Sequence, residues 1–182
     1  SLHYEVPDTG ADQLKLVVKL APASSDLLQA LDVAIAGSVM SKLEGTVRLE
    51  GPLDALEYDA SLKTDGGPLS VRGKLPSDGD LTVHVESKGL ALDQLLAYFP
   101  PVELAVRVDA TAPSAGPIAI RAQAPWINVM GVRVDNIDLA GRYERGRFDI
   151  DSVLAFYAGG RFKGEGFADE NLDGKLHIRS EV

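Results

Sequence analysis

Gln13-Leu14-Lys15-Leu16-Val17-Val18-Lys19-Leu20 decides the fold. Aliphatic side chains recur at every second position, and lysine or glutamine fills most of the positions between. Successive side chains of a β-strand point to opposite faces, so this period makes one oily face and one wet face. The same alternation returns in Leu81-Thr82-Val83-His84-Val85-Glu86, in Leu104-Ala105-Val106-Arg107-Val108-Asp109 and in Val132-Arg133-Val134-Asp135. Amphipathic helices to cover such a sheet are nearly absent. The oily faces must cover each other, or cover something that is not protein.

Working outward, strands are expected at Leu2–Val6, Leu14–Leu20, Leu31–Ile35, Leu43–Glu50 (ended by Gly51-Pro52), Glu57–Lys63, Leu69–Leu75 and Leu81–Glu86. They resume at Glu103–Thr111, Pro117–Ala124, a short piece Trp126–Val129 after Pro125, Val132–Ala140, Gly146–Phe156, Gly159–Ala168 and Gly174–Val182. Turn-forming residues punctuate them, as in Pro76-Ser77-Asp78-Gly79 and Asp173-Gly174. Neighbours joined by such short turns pair antiparallel. Apolar parity changes between Val134 and Ile137 and again between Ile150 and Val153, which predicts β-bulges, the first near Asn136. Leu43–Gly51 and Gly159–Gly166 echo each other in placing glycine inside a strand, where it lets a sheet curl.

Two helical features break the pattern. Ser24–Gln29 reads as a single turn with Asp26 and Gln29 at capping-box spacing. Leu92, Leu95, Leu96 and Phe99 have i, i+3, i+4, i+7 spacing, with Asp93 in the first turn and Pro100-Pro101 as the stop. They predict one short helix near 91–99, docked over an end of the sheet.

The chain has 182 residues, enough for one domain or a piece of a repetitive array. Hydrophobic residues are 45% but aromatics only 6%, so the apolar surface is mostly aliphatic. A net charge of −9 makes a poor partner for nucleic acid, which rewards clustered Lys and Arg. Arg142, Arg145 and Arg147 gather around Gly146 and read as a solvated hairpin tip. Cysteine is absent, so neither a disulfide nor a thiolate metal site is needed. No stretch reads as a signal peptide or approaches the roughly 20 apolar residues of a membrane span. Because Ser1-Leu2 runs at once into a strand-like segment, residues 1–182 are read as one all-β segment of a longer protein.

No residues carry a catalytic signature. His3, His84 and His177 are far apart and sit at polar-face positions. Asp169-Glu170-Asn171-Leu172-Asp173-Gly174 begins like a calcium loop, but its twelfth position is Ser180 where a bidentate Glu is required. It reads as a turn. Asp149 and Asp151 share a strand face, as a glycosidase pair does, yet their alternation with Phe148 and Ile150 puts them on the solvated side. No catalytic residue, metal or cofactor is assigned, and the chain is not read as an enzyme. What remains is the apolar face, which closes into a β-sandwich or stays open as a trough for an aliphatic ligand.

Three stretches give this texture a resemblance. They are Gly45-Thr46-Val47-Arg48-Leu49-Glu50-Gly51-Pro52-Leu53, Gly89-Leu90-Ala91-Leu92-Asp93-Gln94-Leu95-Leu96 running to Phe99-Pro100, and Val134-Asp135-Asn136-Ile137-Asp138-Leu139-Ala140-Gly141. The last continues in Phe148-Asp149-Ile150, Gly159–Gly164 and Leu172–Leu176. Together they resemble the periplasmic AsmA-like (TamB) family. The resemblance implies a curved antiparallel sheet forming an elongated hydrophobic groove, in a periplasmic protein anchored in the inner membrane. It implies movement of phospholipids between inner and outer membranes, support of outer-membrane protein assembly, or both. The partners implied are phospholipid acyl chains, an outer-membrane TamA-like protein and unfolded outer-membrane proteins. The chain departs from the family in being far shorter.

Carried onto this chain by strand parity, the groove lining would be Leu14, Leu16, Val18, Leu20, Leu31, Val33, Ile35, Val47, Leu49, Val71, Leu81, Val83, Val85, Leu104, Val106, Val108, Ile118, Ile120, Val132, Val134, Phe148, Ile150 and Phe162. A second reading is a chaperone-like module that holds unfolded outer-membrane β-strands by strand addition. A third is a closed structural sandwich with no ligand. The open edges of a groove segment are also expected to promote edge-to-edge self-association.

Overall fold

A computed structural model describes residues 3–5, 13–20, 43–96, 99–169 and 173–181. Its strands are β1 (His3–Glu5), β2 (Gln13–Leu20), β3 (Leu43–Pro52), β4 (Ala55–Thr64), β5 (Gly67–Pro76), β6 (Leu81–Ala91), β7 (Val102–Ala112), β8 (Ile118–Val129), β9 (Val132–Glu144), β10 (Arg147–Tyr157), β11 (Gly160–Asp169) and β12 (Gly174–Glu181). They form one sheet whose spatial order is the sequence order from β1 to β12, with every neighbouring pair antiparallel. The reason is local. Met130-Gly131, Arg145-Gly146 and Ala158-Gly159 have positive φ at both residues, the geometry whose twist matches a tight hairpin. The expected strands at Leu31–Ile35 and the helical turn at Ser24–Gln29 lie outside the described residues.

The register shows why the apolar and charged residues separate. One row runs Val18, Val47, Ala60, Val71, Val85, Val108, Ala122, Leu139, Val153, Gly164 and Ile178, each opposite the next. The neighbouring row runs Arg48, Asp59, Arg72, His84, Asp109 and Arg121. Directly opposed residues share a face, so one side of the sheet is aliphatic and the other charged. No second sheet covers the aliphatic side among the described residues. Burial agrees: apart from two glycines, Gly66 and Gly141, the buried residues of the described part are Ala60, Leu90, Leu104, Ala105, Ala124 and Ser87, and no large side chain is fully enclosed. The architecture is therefore the open curved sheet and not the closed sandwich.

Two sequence expectations change in detail. The helix expected near 91–99 is a 3-10 turn at Leu92–Gln94, where the Leu95 and Leu96 amides both donate to the Leu92 carbonyl at 3.0 and 2.8 Å. Sheet pairing takes the preceding residues: β6 continues to Ala91, whose amide donates to the Gly66 carbonyl at 2.8 Å. Beyond the 3-10 turn the Phe99 amide donates to the Leu96 carbonyl at 3.2 Å, and residues 97 and 98 lie outside the described residues. The break expected at Pro125 is instead a bulge within a continuous β8, where β8 carries one residue more than β7 between Gln123 and Trp126. A bulge leaves a residue without a ladder partner, so the missing proline N–H is tolerated there.

The bulges form a seam. β6 gains a residue between Ser87 and Leu90, β8 between Gln123 and Trp126, and β9 between Asp135 and Asp138, where Asn136 has φ +50°. The buried side chains of Ser87, Leu90, Leu104, Ala105 and Ala124 cluster along this seam, so the sheet is tightly packed where it bends. A further bulge lies between Ile150 and Val153 in β10, as parity predicts.

Glycine sets the other close approaches. A Cβ at Gly73 would overlap the Thr82 carbonyl oxygen and the Tyr58 ring, and one at Gly166 would overlap the Lys175 carbonyl oxygen. The neighbouring backbone closes in on the apolar side at these points, leaving room only for hydrogen. Tyr58 lies across Gly73 from β4 and donates to the Thr82 carbonyl on β6 at 3.1 Å. We expect Gly73→Val to destabilise the chain by about 1–3 kcal/mol through overpacking and loss of this bridge. Urea denaturation checks it; an unchanged midpoint would show that the strands separate there at no cost.

Candidate functional site

The candidate site is the aliphatic face, over which no second sheet lies among the described residues. β2 presents Leu14, Leu16, Val18 and Leu20 to it, opposite Gly51, Leu49, Val47 and Gly45 of β3. Val71, Val83 and Val85 follow in β5 and β6, and Leu81 stands opposite Ala112. Leu104, Val106 and Val108 share one parity in β7, and Ile118 and Ile120 continue the face in β8. Val134 is opposite Ile127, Val132 is opposite Val129, and Phe148, Ile150 and Phe162 complete the set. The strand register thus brings together every one of the residues picked by parity that the structure describes. Leu31, Val33 and Ile35 lie outside the described residues.

Sequence reasoning left out residues of the same face. Leu56, Tyr58 and Leu62 of β4 sit opposite Leu75, Gly73 and Leu69 of β5. Ile137 and Leu139 return to the face beyond the Asn136 bulge, and Val153 does so beyond the bulge in β10. The signal was plain alternation in β4, and in β9 and β10 the same alternation resumed in the opposite parity.

This face offers little directional chemistry. Ser87 is 4% exposed, and its hydroxyl donates to the Pro68 carbonyl at 2.7 Å. Thr64 donates to the Gly67 carbonyl at 2.8 Å, and Tyr58 to that of Thr82 at 3.1 Å. Burial pushes the Tyr58 phenol above its ordinary range, so it stays a neutral donor. Hydroxyls already engaged with backbone carbonyls leave the face to bind by exclusion of water.

The other face is a lattice of ion pairs. Lys74 meets Glu57 at 2.7 Å, Lys63 meets Glu44 at 3.2 Å, and Lys163 meets Glu181 at 2.7 Å. Arg142 grips Asp151 through two nitrogens at 2.7 and 3.1 Å, while Arg147 meets Asp149 at 2.7 Å. Asp149 and Asp151 are thus held by arginines flanking the Arg145-Gly146 turn. His84 stands between Asp109, at 2.5 Å from Nδ1, and Glu86, at 3.9 Å from Nε2. Depressions of measurable volume lie on this charged side. One of about 800 Å³ is bounded by Arg121, Asp138, Lys163 and Glu165. A second, of about 610 Å³, lies among Arg48, Asp59, Arg72 and His84. They are gaps between long charged side chains. Among the described residues no group of three or more His, Cys, Asp or Glu is placed to hold a metal ion. No helix among them is long and apolar enough to cross a membrane.

Arg121 and Gln123 both donate to Asp138, at 3.0 and 3.1 Å, and these bonds hold its carboxyl below the usual carboxylate range. The stabilisation is present above the unfolded-state pKa and is lost as pH falls through the lower folded-state value. We expect stability to fall on acidification below the ordinary carboxylate range, and Asp138→Asn to flatten that fall. Urea midpoints across the acid range test this; equal slopes for the two proteins would remove Asp138 from the account.

No protein-family model, curated protein or solved structure matches the chain.

Proposed function

We propose that the uncovered aliphatic face carries acyl chains, and that the chain is a lipid-conducting segment of a periplasmic protein of the AsmA-like kind, working between inner and outer membranes. The single observation that carries this reading is the unbroken apolar row from Val18 to Ile178, over which no second sheet lies among the described residues. Leaving so much aliphatic surface in water is costly, at about 25 cal/mol for each Å². An acyl chain covers such a surface without needing the hydrogen bonds that the engaged hydroxyls of Tyr58, Thr64 and Ser87 no longer offer. Headgroups stay in water beyond the rim. Assembly of outer-membrane proteins with a TamA-like partner belongs to the same proposal and rests on the sequence resemblance alone.

The test is native mass spectrometry of the chain purified without detergent, followed by extraction and lipid analysis. Val83 and Val106 lie within the apolar face on β6 and β7. A carboxylate there faces an acyl chain without a partner, at a cost of several kcal/mol. We expect phospholipid bound to the wild-type chain, and loss of most of it from Val83→Glu and Val106→Glu variants whose circular dichroism is unchanged. A lipid-free wild-type chain that also fails to take up added phospholipid overturns the reading, as does undiminished lipid in both variants.

A further inference from the structure

Hairpin turns line both long sides of the sheet, and the two sides differ. The turns β3–β4, β5–β6, β7–β8 and β9–β10 lie on one side, and β4–β5, β6–β7, β8–β9 and β10–β11 on the other. The first side is polar. Its turns carry Asp54, Asp78 with Asp80, and Glu144 with Arg145, and the β7–β8 turn is Pro113-Ser114-Ala115-Gly116-Pro117. On the second side the β4–β5 turn carries Asp65, but the β8–β9 and β10–β11 turns are the centres of a gap in charge. Residues 122–132 and 152–160 contain no charged side chain, although 25% of the chain is charged. Exposed apolar side chains gather there: Met130, at 73%, with Phe99, Val132, Phe156 and Tyr157. The Met130 amide donates to the Pro101 carbonyl at 2.9 Å, which joins this turn to Phe99-Pro100-Pro101.

An occupant of the aliphatic face does not account for this patch. Trp126 and Phe156 both stand opposite Asp135, on the charged side of the sheet. Val132 and Tyr157, opposite Val129 and Gly160, lie on the aliphatic side. Apolar surface therefore wraps around the end of the sheet from one face to the other. The tips are closed by their own turns, with positive φ at Met130-Gly131 and Ala158-Gly159, so they offer no open ladder to a strand. The first charge after each turn is an arginine, Arg133 or Arg161. Arg133 lies over the Trp126 ring at 5.7 Å and pairs with Asp135 at 2.8 Å. It is three residues from Met130, about 10 Å along a strand.

From this geometry we infer that the β8–β9 and β10–β11 turns, with Phe99 beside them, dock the chain on the surface of a lipid bilayer. Met130 enters the boundary of the acyl region, a layer of about 5–10 Å, and Arg133 and Arg161 stay at the level of the phosphates. Trp126 lies among the headgroups, where its amphipathic ring is favoured. A lipid surface covers both faces of a projecting tip at once and needs no matching shape. With a net charge of −9, attachment comes from burial of the uncharged tips and not from attraction to anionic lipid. This inference stands whether or not acyl chains fill the aliphatic face.

The test uses the full chain, purified without detergent, and vesicles of phosphatidylcholine. Co-sedimentation is expected, with little dependence on salt, and with a shift of the emission of Trp126, the sole tryptophan, to shorter wavelength. Met130 and Ala158 have φ of +51° and +48°, a conformation that aspartate adopts readily. Met130→Asp and Ala158→Asp are each expected to weaken vesicle binding about tenfold. Leu53→Asp, at an exposed apolar position on the opposite long side, leaves it unchanged. Both tip variants keep whatever lipid co-purifies with the wild-type chain, because neither residue lines the aliphatic face. No co-sedimentation, undiminished binding in both tip variants, or an equal loss in Leu53→Asp each overturns the inference. So does a parallel loss of co-purifying lipid from the tip variants, which would assign the binding to the aliphatic face instead. Two tip variants are used, with circular dichroism, so that misfolding of one leaves the other to decide.

Discussion

Parity is the constraint on which this structure depends. A sheet keeps its aliphatic side chains on one side only if each strand's alternation stays in phase with its neighbours, because a slip of one residue moves a whole strand's oily set into water. Here the phase holds from Val18 to Ile178 even though β6, β8, β9 and β10 each contain an added residue. The sequence changes its own phase where the backbone does: Val134 is followed in the apolar set by Ile137, and Ile150 by Val153. Bulge and sequence compensate each other, and the face survives the bends.

What holds the chain together is correspondingly local. Strands meet their sequence neighbours, tight turns fix the hairpins, and most of the buried side chains lie along the bulge seam between β6 and β9. The many ion pairs of the charged face are solvated, and exposed pairs of this kind each contribute about 0–1 kcal/mol. Their larger role is to fix register and keep that face wet. A charged lattice on one side and bare aliphatic surface on the other give the sheet a single direction in which to find cover.

Much of this was legible in the sequence. Period two marked the strands, and the phase changes at Asn136 and after Ile150 marked two bulges. The residues chosen by parity alone share one face wherever they are described. The misses have physical causes. The stripe Leu92, Leu95, Leu96 and Phe99 has helical spacing, but β6 pairs through Ala91 and, among the described residues, only Leu92–Gln94 forms a 3-10 turn. Pro125 reads as a stop, whereas a bulge absorbs it. The choice between sandwich and open sheet was not legible, because both bury one face of alternating strands and differ only in what lies opposite.

Pairing strictly in sequence order makes the sheet a one-dimensional array, in which each hairpin touches only the one before and the one after. Such an array has no preferred size. Each added hairpin advances it by two strand spacings, roughly 9–10 Å, without disturbing the packing already in place. The hairpin count is then a ruler. Duplicating or deleting one unit changes the distance spanned and leaves the cross-section, and whatever runs along it, the same.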